Sequence, residues 1–294
     1  MVIDQAENLR KLVEEKRKKE MQDTIKKKGV KIFCVASGKG GVGKTNIVAN
    51  LAILLQQKGS KVLVIDADLG LANVDVLLDV FPEITLFDVL FHNRPLKEAL
   101  IDGPQGIKIV PGGSGIFNMT HLDEEQQNRF AKEFLELEDF DTIIIDTGAG
   151  ISFNLMSFIA FSQTILLVTT PEPTAMTDAY GVLKVLSELK MEREIHLIIN
   201  RAANSEIAAY TYERLKNTVS QFLKMDINSL GYILDDIRVS YAVMQRKPFV
   251  TEYPKSVATK CIHRIADKLI CSSNEELKIN TMSEVYNRLI RVFG

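Results

Sequence analysis

The chain has 294 residues, of which 46% are hydrophobic and 25% charged, and a formal net charge of −2. That is enough for one large α/β domain or two small ones, and it excludes the chain-wide basic field of a nucleic-acid coat protein. Three scattered cysteines, Cys34, Cys261 and Cys271, form no C-x-x-C pair, so a reducing cytosol is expected rather than a disulfide, zinc or iron–sulfur framework, and no apolar run approaches a secretory leader or a membrane span.

Residues 1–29 stand apart. Ala6, Leu9 and Val13 share a helical face, and Glu14 to Lys28 is almost wholly charged. One helix is expected there, too poor in apolar residues to fold alone. It is either a solvated, predominantly basic tail or a helix that orders on a partner through Asp4, Gln5, Ala6, Leu9 and Arg10.

From Lys31 onward, β-rich runs alternate with helical ones. Strands are expected at Lys31–Ser37, Lys61–Asp66, Ile107–Val110, Thr142–Asp146, Thr164–Thr169, Glu194–Asn200 and Gly231–Leu234. Helices are expected at Asn46–Leu55, Leu122–Leu137, Thr174–Lys190, Glu206–Leu223 and Ser256–Ile270. Apolar strands joined by helices imply an α/β fold, a mostly parallel sheet flanked by helices, with ligands beyond the carboxyl ends of its strands. After a polar connector from Ser272 to Lys278, the last stretch places Met282, Val285, Tyr286, Leu289, Ile290 and Phe293 on one helical stripe, with Arg288 and Arg291 on the other side. This is either an ordinary helix packed on the core or one lying in a membrane interface. The expected division is an N-terminal helix at 1–29, a main α/β domain at 30–271, and a linker with terminal helix at 272–294.

The chemistry gathers around one loop. Gly38 to Thr45 reads G-x-x-x-x-G-K-T between a strand and a helix, the phosphate-binding loop. Gly38, Gly40, Gly41, Val42 and Gly43 let backbone N–H groups turn onto a polyphosphate, Lys44 reaches its oxygens, and the Thr45 hydroxyl holds Mg²⁺. Asp146, ending an apolar strand before Thr147-Gly148-Ala149-Gly150, is the expected second metal-orienting group. Asp68 is assigned to position a water or accept its proton, with Asp66 in support, against the alternative that Asp68 caps the next segment. Lys39 lies where the loop pattern leaves the position free. It either crosses to a facing subunit or is an incidental surface lysine. His92, His121, His196 and His263 show no metal spacing.

The stretches Lys39–Thr45, Asp66–Asn73 and Asp146–Gly150 together closely resemble the deviant-Walker ATPases of the MinD/ParA group, over roughly residues 30 to 270. The resemblance implies ATP with Mg²⁺, hydrolysis to ADP and phosphate, and a face-to-face homodimer in which Lys39 acts across the interface. It further implies that Asp178 pairs with Lys39 when the dimer is absent, that Asn200 and Arg201 recognise adenine, and that the loop from Gly231 to Asp236 packs on the base. Asp4 to Arg10 resembles the D-Q-A-x-x-L-R element of the branch that controls flagellar number and placement. That implies a partner GTPase of the signal-recognition-particle type, FlhF, with flagellar basal-body proteins as further partners. It also implies peripheral attachment to the anionic inner face of the cell membrane through the C-terminal stripe, and no sequence-specific nucleic acid. The rivals are a DNA-partition ATPase of the ParA type, a metabolic ATP-dependent ligase on the same fold, and a nucleotide-locked scaffold.

Overall fold

A computed structural model of the chain describes residues 30–68, 74–113, 124–135, 137, 139–191 and 193–272. The N-terminal contact residues Asp4, Gln5, Ala6, Leu9 and Arg10, the C-terminal stripe with Val285, Tyr286, Leu289, Ile290 and Phe293, and residues 69–73 lie outside these. Among the described residues the strands are β1 Lys31–Ala36, β2 Val62–Ala67, β3 Ile101–Asp102, β4 Lys108–Val110, β5 Thr142–Thr147, β6 Thr164–Thr169, β7 Glu194–Ala202 and β8 Asn228–Leu234. They form one sheet in the order β3-β4-β2-β5-β1-β6-β7-β8. Every pairing is parallel except that of β3 with β4. The seven expected strands are present. The two-residue β3 is additional, too short to leave a periodic signal.

The helices are α1 Lys44–Gln57, α2 Val74–Leu78, α3 Leu86–Phe91, α4 Glu124–Leu135, α5 Phe153–Phe161, α6 Pro173–Glu188, α7 Ser205–Leu223, α8 Ile237–Met244, α9 Phe249–Glu252 and α10 Val257–Ser272. Those expected from periodicity recur with ends shifted by a residue or two. The short helices α2, α3, α8 and α9 and the uniformly apolar α5 carried no amphipathic stripe long enough to read.

Alternation along each strand divides the interior into two layers. In β1, Ile32, Cys34 and Ala36 join the core with Phe130, Phe134 and Phe158 of α4 and α5, while Phe33 and Val35 join the core with α1 and α10. Both sets are apolar because both faces are covered, which is what a parallel sheet requires. The chain builds outward from β1 to β2 and β4, returns to place β5 beside β1, then crosses to β6 on the other side. That reversal opens a crevice at the carboxyl end of β1, where α/β sheets bind ligands.

One buried amide ties α1 to the segment that walls the crevice. Asn50 is fully buried, its Oδ1 accepts from the Val250 N–H at 3.0 Å, and its Nδ2 donates to the Asn46 carbonyl at 2.7 Å. Replacing Asn50 with Ala leaves the Val250 N–H without its partner, so urea denaturation should report a loss of about 1–3 kcal/mol.

Candidate active site

At the end of β1 the chain turns into the glycine loop and enters α1 through Gly43, whose φ of 96° is left-handed and which offers no side-chain cap. The first-turn amides of α1 are therefore left for an anion, the geometry of a phosphate site. The loop is clamped from two sides. A Cβ on Gly38 would lie 2.1 Å from the backbone carbonyl carbon of Asp178 in α6, so only glycine permits this approach. On the other side, the Asn200 side chain at the end of β7 donates from Nδ2 to the Val42 carbonyl at 2.7 Å.

Inside the loop the charges are buried. Lys44 is 8% exposed, and its Nζ donates to Ser37 Oγ at 3.0 Å, which in turn donates to the Lys39 carbonyl at 2.8 Å. Burial lowers the Lys44 ammonium pKa, and Asp146 and Asp68 oppose that shift. Parallel register sets Asp146 of β5 beside Val35 of β1 on one side and Asp66 of β2 on the other. Burial pushes the Asp146 carboxyl up to about 6, although the Thr45 hydroxyl bonds it and Lys44 attracts it. Its Oδ1 is buried without a hydrogen-bond partner. An orphaned carboxylate oxygen bonded on its other side to a threonine hydroxyl suits a hard cation. Among the described residues no group of three or more His, Cys, Asp or Glu side chains could cage a metal, so an ion there would depend on Thr45, Asp146 and the ligand's own phosphates.

Asp66 is fully buried, and its oxygens accept from the Asp68 N–H at 3.1 Å and the Val74 N–H at 3.1 Å. It thereby shapes the segment that carries Asp68. The Asp68 carboxylate lies over Gly148, where a Cβ would come within 3.3 Å of its Oδ1. A cleft of about 850 Å³ joins Lys44, Thr45, Asp68 and Gly148 to Arg201 and Arg246. A neighbouring cavity of about 270 Å³ is walled by Asn200, Arg201, Leu234, Asp235, Asp236 and Met244. Gly231 itself falls within β8.

Lys39 does not line this cleft. Its Nζ donates to Glu172 Oε2 at 2.9 Å and to Thr174 Oγ1 at 3.0 Å. The resemblance implied Asp178 as its partner. The structure places Glu172 there instead, because Glu172 immediately precedes α6 and faces the loop shoulder, whereas Asp178 meets Gly38 through its backbone. Two contributors escaped the sequence: Ser37, a hydrogen-bond partner of Lys44, and Arg246, a cation on the cleft wall. Neither belongs to a spacing pattern: Ser37 directly precedes the loop without being part of its motif, and Arg246 reaches the cleft only in the folded chain.

A family model described as an AAA domain matches residues 30–199. The antiactivator FleN of Pseudomonas aeruginosa is 36% identical over 82% of this chain and 86% of its own length. The flagellum site-determining protein YlxH of Helicobacter pylori is 34% identical over 99% of both chains. The cell-division ATPase MinD of Pyrococcus furiosus superimposes with a TM-score of 0.68 at 28% identity, covering 82% of this chain and 99% of its own. The Mg-ADP complex of MinD from Pyrococcus horikoshii gives a TM-score of 0.68 at 29% identity, covering 85% and 100%. The loop, its buried charges and these relatives agree: the chain belongs to the MinD/ParA family of phosphate-loop ATPases, on the branch of the flagellar regulators FleN and YlxH, also called FlhG.

Proposed function

We propose that this ATPase is a nucleotide-dependent dimerisation switch that controls flagellum number and placement from the membrane surface. The observation that carries the reading is the position of Lys39. Its ammonium is held outside its own cleft by Glu172 and Thr174, so the cation is available to the nucleotide of a facing copy. In the proposed cycle, the α1 amides and Lys44 hold the β and γ phosphates. Mg²⁺ supplies charge neutralisation on those oxygens when bound, and Thr45 and Asp146 are the residues that would hold it. Lys39 of each subunit leaves Glu172 and completes neutralisation on the other subunit's nucleotide. Asp68 orients the attacking water and accepts its proton, with its segment fixed by Asp66. Asn200 and Arg201 face the base.

Loss of the γ-phosphate removes the bridge between copies. A single amphipathic stretch such as Met282 to Phe293 binds a bilayer marginally, whereas two linked copies act at high effective concentration, so dimerisation strengthens attachment. The segment Asp4 to Arg10, with Gln5 foremost, docks on an FlhF-type GTPase and stimulates its hydrolysis; the near full-length match to YlxH supports including both chain ends in the reading. The MinC:MinD complex of Aquifex aeolicus, whose MinD chain is 26% identical with a TM-score of 0.68, is a precedent for partner binding by this fold.

Three outcomes test the switch. With ATP and Mg²⁺, Asp68→Ala should elute as a dimer in gel filtration while phosphate release slows about a hundredfold or more, and Lys39→Ala should elute as a monomer; a dimeric Lys39→Ala protein overturns the exchange of cations. Removing residues 280–294 should abolish ATP-dependent sedimentation with anionic liposomes, and unchanged sedimentation would remove the membrane from the scheme. The third concerns pH. Because the Asp146 carboxyl is raised to about 6, the folded protein keeps that proton further up the pH scale than an unfolded chain does. The stability this contributes is present at low pH and is lost as pH rises through about 6. Mg²⁺ binding requires the carboxylate, so the affinity for Mg²⁺ with nucleotide should fall as pH drops through about 6. Calorimetry in buffers of different ionisation enthalpy should show proton release there and none about two units higher.

A further inference from the structure

Beside the glycine loop, the cleft wall carries an arginine that the proposed cycle does not use. Arg246 lines the larger cavity together with Lys44, Thr45 and Arg201, and it does not reach the smaller cavity on the base side. Its Nη1 pairs with Asp79 Oδ1 at 3.1 Å across 167 residues of chain. Both partners sit in left-handed backbone, at φ 53° for Arg246 and 52° for Asp79.

These two positions end two helices in the same way. After α8 the Lys247 N–H bonds the Ala242 carbonyl and the Arg246 N–H bonds the Val243 carbonyl, each at 3.0 Å, and after α2 the Val80 N–H bonds the Asp75 carbonyl at 3.0 Å. Such terminators ordinarily place glycine at the left-handed residue, because a side chain there strains the backbone. Here both sites carry long or charged side chains, and the two chains meet over the mouth of the cleft. Lys190 and Lys224 also sit left-handed at helix ends, so what distinguishes Asp79 and Arg246 is that their two side chains meet each other at the cleft wall.

A purely structural tether would need no side chain on the cavity wall. An arginine is also the cation best shaped to meet phosphate oxygens in pairs. The other cations near the cleft are placed differently, since Lys44 is buried beneath the loop, Lys39 is turned outward to Glu172, and Arg201 borders both this cavity and the smaller one. We propose that Arg246 is a further nucleotide-contacting residue, held over the cleft mouth by Asp79 and positioned to meet the phosphate chain of the incoming nucleotide. The inference rests on the nucleotide reading of the loop and adds to it a residue that none of the sequence motifs described above contains. Asp79 acts only through Arg246 and is a positioning residue.

A charge exchange separates this role from a tether. In titration calorimetry with ATP and Mg²⁺ on the full chain, Arg246→Ala should weaken binding about five- to tenfold, the scale of one exposed charge-assisted contact. Asp79→Asn should weaken it about two- to threefold, and the two together no more than Arg246→Ala alone. The double variant Asp79→Arg with Arg246→Asp restores the ion pair but turns a carboxylate toward the phosphates. It should recover the thermal midpoint of the parent while binding ATP no better than Arg246→Ala. Recovery of ATP affinity by the exchange, or parental affinity in Arg246→Ala, overturns the assignment. A parent chain that fails to bind ATP would instead overturn the reading of the loop itself.

Discussion

The whole site depends on one ammonium and one carboxylate buried together. Lys44 and Asp146 are 8% and 1% exposed, a depth at which either charge alone would cost several kcal/mol. Each tempers the desolvation of the other, and the residual imbalance shows in the lowered Lys44 and raised Asp146 pKa values. This arrangement is tolerable because the strands impose it: Asp146 has no freedom to leave while Val35 lies at its register partner and Asp66 at its other flank. The carboxyl end of β1 therefore presents unsatisfied polar capacity, in the form of the Asp146 Oδ1 and the uncapped amides of α1. A ligand with negative oxygens and a divalent cation relieves both at once.

That constraint explains the glycines better than a motif does. Gly43 must be left-handed to aim the α1 amides inward, and Gly38 must lack a side chain so that the loop can rest against the Asp178 backbone. Asn200 then fixes the loop from β7 through Val42. The loop is held on both shoulders before any ligand arrives, which lowers the ordering cost of binding.

The sheet and the loop were legible because each rests on local pattern. Apolar runs such as Ile143-Ile144-Ile145 mark doubly covered strands, and glycine spacing marks the loop, whatever lies far along the chain. What could not be read is whatever depends on tertiary placement. Glu172, not Asp178, receives Lys39, since the difference lies in which way the first turn of α6 points. Asp66 turned out to be engaged with the backbone of its own loop, a use of a carboxylate that no spacing distinguishes from a catalytic one. Arg246 is invisible in sequence for the same reason: its neighbour is Asp79, at a helix end 167 residues away.

The course of α10 bears on how nucleotide state could reach the chain ends. It begins next to the carboxyl end of β8, where the Ala258 N–H meets Asp236, and descends past Asp267, which pairs with Lys58 at the far end of α1. The described chain thus enters at Val30, at the amino end of the central strand β1, and leaves at Ser272 beyond the Asp267–Lys58 pair, at the end of the sheet opposite the cleft. A phosphate in the cleft touches neither exit, so local contact is a poor route for coupling. In the face-to-face dimer proposed above, coupling would pass instead through the bond between copies. The connector from Ser272 to Lys278 can span at most about 25 Å. Cooperative attachment would then come from two anchors sharing one rigid body, with the strength of the bond between copies, and hence the triphosphate, setting how long both stay engaged.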